Sequence, residues 1–299
     1  MSKPNASRLA LERWNAQPRT AYRHISVRSL TPTIGAEITG LNIANRFTNE
    51  QEAEIRQALA DHQVIVIRDQ HLTPAAHKAF AARFGHLHRH KLVAEGQDPD
   101  ILAWKTGRDS SYAAGEGWHS DVSCDENPIW GSILRVTKLP EIGGGDTVFS
   151  NMHLAYETLS PQIRALLRGL TAVHDGAHAW TRAFGIPPKP GQTYPVHEHP
   201  LVVTHPLTGR PVLYVNEGFT SHIPQLSRPE SEALLALLFQ HIQRGITFQA
   251  RIQWQPDSLV FWDNWATQHH AVWDYFPFER WGERVSVLRE GRLEAWQGD

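Results

Sequence analysis

Apolar residues in this 299-residue chain fall in short runs divided by turn-forming residues, and the clearest runs repeat every two residues. Ile25 and Val27 open a strand-like stretch that resumes over 35–43, and Val64-Ile-Val-Ile-Arg68 reads as a buried strand. Beyond Gly115 the spacing predicts strands over 132–139, 146–149, 170–174, 201–204 and 212–215. The cleanest alternation is Ile246, Phe248, Ala250, Ile252 and Trp254, with polar Thr247, Gln249, Arg251 and Gln253 between them. It predicts a half-buried strand. Residues 259–264 read as a strand ending in a turn, and Arg284 begins a last strand over 285–288.

Helical spacing is confined to four places. Thr48 with Gln51 is a capping-box pair ahead of Ile55, Ala58 and Leu59. Thr73-Pro74 gives an N-cap and an N1 proline to a helix closing at Gly85, with Ala76, Phe80 and Phe84 inward. Ser160-Pro161 starts a helix bearing Ile163, Leu166 and Leu167, and 227–242 forms a leucine-rich one. Many short strands with few helices predict a mainly β protein with flanking helices, a sandwich or jelly roll. One domain over 22–299 is expected after a variable, loosely held segment 1–21. Within it, 176–199 is expected to be an insertion or lid, because Thr181 to His199 is dense in Gly and Pro.

Composition narrows the functional classes. A formal charge of −2 leaves no broad basic field, so nucleic acid is not an expected partner. No apolar run reaches the roughly 18 residues that a membrane span needs, and the opening residues MSKPNASRLALERWNAQPR lack a secretory-type apolar stretch. The single cysteine, Cys124, can form no intramolecular disulfide, in keeping with a cytoplasmic location, and is expected to be a buried, inert thiol.

His119-x-Asp121, expected on a strand, would aim both side chains at one ion, since residues i and i+2 share a face. With 18 histidines in the chain, that triplet alone is a weak signal. A second cluster, Trp262-Asp263-Asn264 through Gln268-His269-His270 to Arg280 and Arg284, changes the odds. Two imidazoles and one carboxylate form the facial triad of non-haem Fe(II) oxygenases. Neighbouring strand residues face opposite ways, so only one of His269 and His270 should reach a metal. Arg280 and Arg284 lie among aromatic and apolar residues, where guanidinium groups call for anionic partners. Asp263 and Asn264 are expected to pin the turn that presents His269.

In order, these stretches resemble the taurine dioxygenase (TauD/TfdA) family of Fe(II)/2-oxoglutarate-dependent dioxygenases. The matching segments are 34–41, 62–70, Trp118-His-Ser-Asp-Val122, 139–147, 205–209, 215–219 and Trp262 through His269 to Arg284. The resemblance implies a double-stranded β-helix core, with His119, Asp121 and His269 as the Fe(II) ligands and catalytic centre. It implies that Thr147 and Arg280 bind 2-oxoglutarate, and that His90, Val122, Phe219 and Arg284 bind substrate. Val93 stands where taurine users have a tyrosine, and Ala114-Gly115 replace a polar pair that binds the amine, so neither side chain there can accept from an ammonium. The expected activity is hydroxylation of a small organic anion, a sulfonate, sulfate ester or aryloxy or alkyl acid, rather than of taurine itself. O₂ and 2-oxoglutarate are consumed and succinate and CO₂ formed. A homo-oligomer, dimer or tetramer, is also implied. A Zn-dependent hydrolase and a non-catalytic anion-binding jelly roll are the alternatives; the first gives no reason for Thr147 and Arg280, the second none for a complete ligand set.

Overall fold

Val64–Ile67 is buried at all four residues because each face of this strand meets a different layer. Val64 and Val66 pack with Leu134, Phe149, Ile252 and Trp262, whereas Ile65 and Ile67 pack with Ile55, Leu59, Phe80 and Phe261. A strand covered on both sides reads as an unbroken apolar run. The computed structural model describes residues 6–44, 47–90, 96–184, 191–289 and 291–298.

The larger sheet runs Ser26–Ser29, Ala36–Thr39, Val64–Ile67, Leu259–Asp263, Gly131–Lys138, Arg280–Leu288 and His86–Leu87, with Leu102–Thr106 also paired to Arg280–Leu288. Facing its inner side is an antiparallel sheet of Gln249–Ile252, Thr147–Asn151 and Thr267–Ala271. Helices Asn49–His62 and Pro74–Ala82 cover the outer side, so the core has two layers about the larger sheet. Two further small sheets extend the sandwich: Thr220–His222, Thr171–Asp175 and Val196–Pro200; and Pro211–Leu213, Val202–Thr204 and Glu294–Ala295. Among the described residues no helix is long and apolar enough to cross a membrane.

Local signals account for the helix starts. Thr48 Oγ1 accepts from Gln51 N while Gln51 Oε1 accepts from Thr48 N, each at 3.2 Å. Thr73 caps the helix that begins at Pro74. Four expectations need correction. The alternating run of 246–254 is a strand only over Gln249–Ile252, because Ile246–Phe248 closes a 3₁₀ turn that leaves Ile246 79% exposed. Leu166 faces outward, 51% exposed, on helix Pro161–Leu167. The last long strand starts at Arg280, four residues before Arg284. The N-terminal lead-in carries helix Ala6–Asn15, whose Ala10 and Trp14 are buried and whose Trp14 ring lies 3.9 Å beneath the Arg210 guanidinium.

Segment 176–199 is partly regular. Helix Gly176–Phe184 opens it and strand Val196–Pro200 closes it, pairing antiparallel with Thr171–Asp175. Between them, Gln192 to Pro195 border the main cavity.

Candidate metal and anion site

His119 and His269 come from segments far apart in sequence and meet through the backbone. His119 N–H donates to His269 O at 3.1 Å, and His269 N–H donates to His119 O at 2.9 Å. This bridge brings the two rings to 4.1 Å between centroids. Asp121 Oδ1 lies 3.6 Å from His119 Nε2 and 3.8 Å from His269 Nε2. Among the described residues this is the one group of histidine, cysteine or acid side chains, all within 4.8 Å of one another, that could hold a metal.

The expected strand at His119-x-Asp121 is absent. His119 forms an isolated bridge, and the chain then turns through 121–124 with Val122 at φ +43°. A β-branched residue in that region costs on the order of 1–3 kcal/mol and persists only when its surroundings over-determine it. Asn264 supplies that constraint. Its Oδ1 accepts from Asp121 N at 2.8 Å, and its Nδ2 donates to Asp121 O and Ile129 O, each at 3.0 Å. Asp263 pins the next turn, 263–266, which leads to His269: its Oδ1 accepts from Trp265 N and Ala266 N, and its Oδ2 meets His205 Nε2 at 2.8 Å. Replacing Asn264 by alanine removes three buried hydrogen bonds and is expected to cost about 2–4 kcal/mol. The check is the denaturant midpoint together with Fe(II) affinity. A variant as stable as its parent would show that Asn264 does not hold the turn.

The protonation states suit a divalent cation. Burial, reinforced by His119, pushes His269 well below the usual imidazole range, so its ring is neutral. Burial alone would raise Asp121, but Arg284 and the two histidines hold it well below the usual carboxylate range. His119 Nδ1–H donates to Gly117 O at 2.9 Å, which leaves the Nε2 lone pair turned toward Asp121. Ser132 Oγ donates to Asp121 Oδ2 at 2.8 Å and fixes the carboxylate plane. Arg284 Nη1 donates to Asp121 Oδ1, the oxygen closest to both imidazoles. His270, the neighbour of His269, turns away: its Nδ1 donates to Ala271 O and its ring meets Trp118 edge-on.

An anion pocket adjoins this cluster. Arg280 and Arg284 lie an even number of residues apart on one strand, so both point into the cavity. Arg280 is 3% exposed, and among the described residues its Nε has no hydrogen-bond partner. Burial lowers its affinity for the proton, and Tyr275 offsets part of that cost. Trp254 lies 5.6 Å beneath its guanidinium and donates Nε1–H to Thr147 Oγ1 at 3.1 Å, so the threonine keeps its own proton to donate. Gly145, at φ +70°, allows this approach: a Cβ there would sit 2.7 Å from Arg280 Cδ. Asp274 holds the glycine turn by accepting from Gly145 N at 2.8 Å. A buried cation with an unmet donor beside a free hydroxyl proton fits one carboxylate of a dicarboxylic acid.

The chamber that joins these groups has a volume of about 560 Å³. His90, Val122 and Phe219 line it as expected, as do Ala114 and Gly115; Val93 lies outside the described residues. His90 is pushed down to about 3 by burial and by Arg284, so it is neutral. Trp104, Trp180 and Trp262 line the chamber, whereas Trp265, Trp273 and Trp281 do not. Trp265 is buried on Pro128 O, Trp273 packs on Phe276, and Trp281 lies beneath Lys105 and Lys138. Cys124 is buried at the chamber wall. Ser132, Trp254, His88 and Asp125 were not singled out from sequence. Trp254 alone carried a signal, as the last apolar member of the alternating run.

The family model described as "Taurine catabolism dioxygenase TauD, TfdA family" matches residues 26–286. The chain is 32% identical over 287 residues to an alpha-ketoglutarate-dependent sulfonate dioxygenase of Saccharomyces cerevisiae, covering 90% of this chain and 68% of that protein. It is 32% identical over 281 residues to an alpha-ketoglutarate-dependent sulfate ester dioxygenase of Pseudomonas putida, covering 89% and 90%. The crystal structure of a taurine dioxygenase from Burkholderia xenovorans superposes with a TM-score of 0.77 at 36% identity, over 92% of this chain and 97% of that one.

Proposed function

Because the chain belongs to the TauD, TfdA family of Fe(II)- and 2-oxoglutarate-dependent dioxygenases, we propose that it hydroxylates a small sulfonate or sulfate ester in the chamber beside Arg284. The observation that carries this reading is the convergence of His119, Asp121 and His269 within 4.8 Å, next to a buried arginine with an unmet donor. His119, Asp121 and His269 would hold Fe(II), and Thr147 and Arg280 the far carboxylate of 2-oxoglutarate. His90, Val122, Phe219 and Arg284 would hold the substrate. The enzyme would act as a homo-oligomer in the cytoplasm, in keeping with a single buried cysteine.

When bound, Fe(II), 2-oxoglutarate and O₂ together oxidise a substrate C–H bond to C–OH while 2-oxoglutarate becomes succinate and CO₂. The chain's own residues do the rest. The imidazoles of His119 and His269 and the ionised carboxylate of Asp121 would supply three of the ligands that Fe(II) needs and leave room for cosubstrate and O₂. Arg280, buried to 3% exposure, would neutralise the far carboxylate of the dicarboxylate where bulk water is largely excluded. Arg284 has only Asp121 as anionic partner among the described residues, and a substrate sulfonate or sulfate offers it a second. Val122, Leu102, Leu134, Trp104 and Phe219 form apolar walls that exclude water and fix the carbon nearest the triad. Hydroxylation at the carbon bearing sulfonate or sulfate gives an adduct that collapses to a carbonyl compound with release of sulfite or sulfate.

Two readouts test this together. Anaerobic Fe(II) followed by 2-oxoglutarate should produce a visible charge-transfer band. In air, alkanesulfonates and alkyl sulfates of graded length should then give succinate and inorganic sulfur anion in equal amounts. A band with no sulfur anion from any sulfonate or sulfate ester would overturn the substrate class. Absence of the band would overturn the cofactor assignment.

A further inference from the structure

Arg280 keeps an unmet donor although a buried carboxylate stands beside it in the fold. Asp146 lies between Gly145, whose Cα packs on the Arg280 stem, and Thr147, the hydroxyl of the anion site. Attraction between Asp146 and Arg280 favours the charged guanidinium. Among the described residues Arg280 Nε nevertheless meets no acceptor, and the Asp146 carboxylate is engaged elsewhere. Arg251 Nε donates to Asp146 Oδ2 at 2.6 Å, and Arg251 Nη2 donates to Asp274 Oδ2 at 3.0 Å. Asp274 Oδ1 in turn accepts from Gly145 N at 2.8 Å, so one fork ties together the turn that carries Gly145, Asp146 and Thr147.

Strand register puts Arg251 in place. On strand Gln249–Ile252, Arg251 pairs with Val148 and Ile252 with Thr147. The stretch 251–254 therefore supplies both the cation on Asp146 and the Trp254 ring beneath Arg280. The two ion pairs of Arg251 are unequal. Arg251 and Asp274 are both exposed, so their contact is screened and contributes little. Asp146 is buried, with 9% of its side chain exposed, and a carboxylate left there without Arg251 would need another cation. Arg280, packed on the preceding glycine, is the buried cation at hand.

We propose that Arg251 is a positioning residue for the cosubstrate: by holding Asp146 it keeps that carboxylate from occupying Arg280, so the guanidinium stays open to 2-oxoglutarate. This rests on the dioxygenase reading and adds a residue to the same site. Arg251 lies outside the chamber lining and acts only through Asp146 and Asp274. Without it, Asp146 becomes an internal competitor next to Thr147. The 2-oxoglutarate carboxylate must then displace Asp146, and apparent affinity falls by the fraction of molecules in which Arg280 is already taken.

The test is calorimetric. Protein loaded anaerobically with Fe(II) is titrated with 2-oxoglutarate, and then with an alkanesulfonate at saturating 2-oxoglutarate. Arg251→Ala should weaken 2-oxoglutarate about five- to twentyfold, with Fe(II) content and sulfonate affinity within about twofold of the parent. Asp146→Asn removes the competing charge and keeps the backbone bond from Val272 N to Asp146 O, so it should bind 2-oxoglutarate at least as tightly as the parent. The double variant Arg251→Ala/Asp146→Asn should return to within about twofold of the parent. A merely structural Arg251 gives no such rescue, because the double variant still lacks the ion pair. Should Arg251→Ala not fold, Arg251→Gln, uncharged but similar in reach, carries the same expectations. Undiminished 2-oxoglutarate affinity in the Arg251 variant, an equal loss of Fe(II) or sulfonate, or a double variant as weak as the single one would overturn the role of Arg251 and leave the dioxygenase reading intact. A parent protein that binds Fe(II) but no 2-oxoglutarate would overturn that reading and this role with it.

Discussion

Replacing His119 by alanine is expected to lower Fe(II)-dependent succinate formation by about 10³-fold or more, a barrier increase of about 4 kcal/mol. The fold should survive. The bridge that joins this segment to His269 is made of backbone groups, N–H to O at 3.1 Å and 2.9 Å, and alanine keeps both. The imidazole itself donates one hydrogen bond, to Gly117 O, at a partly exposed position. What disappears is one of three donors, and a site of one imidazole and one carboxylate should no longer retain iron at micromolar concentrations. His270→Ala is the matched control, since its ring points at Trp118 and its Nδ1 at Ala271 O. Iron content by metal analysis, succinate by chromatography and the thermal midpoint decide the matter. Undiminished succinate from His119→Ala, or a larger loss from His270→Ala, would show that the triad has been assigned to the wrong side chains.

That pair of variants also marks where sequence reading ends. Period two says that His269 and His270 face opposite ways, but it cannot say which faces inward. The direction is set by pairing with Thr147–Asn151, where His269 opposes Phe149 and stacks near it, a contact between residues far apart in the chain. Elements governed by neighbours in sequence were legible. The Thr48–Gln51 capping box, Pro74 at its helix start and the doubly covered strand Val64–Ile67 follow from local chemistry alone. Features governed by distant partners were not. Nothing near Val122 announces φ +43°, because Asn264 imposes that turn from the end of the strand Leu259–Asp263. Likewise the run from Ile246 alternates as a strand should, yet Gly245 and the Phe248 ring close its first turn. The ordered motifs from 34 to 284 pointed to the family as a whole, which the match over residues 26–286 bears out.

Arg280→Ala is expected to weaken 2-oxoglutarate by about 2–4 kcal/mol, roughly 30- to 1000-fold in apparent affinity. The guanidinium is buried against Trp254 and beside Gly145, so water cannot replace it at the carboxylate without entering a space built for an arginine stem. Thr147 would remain, but a neutral hydroxyl is a weaker partner for a carboxylate than a charged fork. Arg280→Lys should recover only part of the loss, since ammonium supplies the charge but not the planar pair of donors. Without 2-oxoglutarate the alanine variant should be no less stable than its parent, because it deletes a desolvated cation whose Nε lacks a partner among the described residues. Substrate affinity, measured with saturating 2-oxoglutarate, should change little, and Arg284→Ala should give the reverse pattern. Titration of the charge-transfer band with 2-oxoglutarate, followed by calorimetry with an alkanesulfonate, separates the two effects. If Arg280→Ala weakened the sulfonate and spared 2-oxoglutarate, the two arginines would exchange roles and the chamber would have to be read from its opposite end.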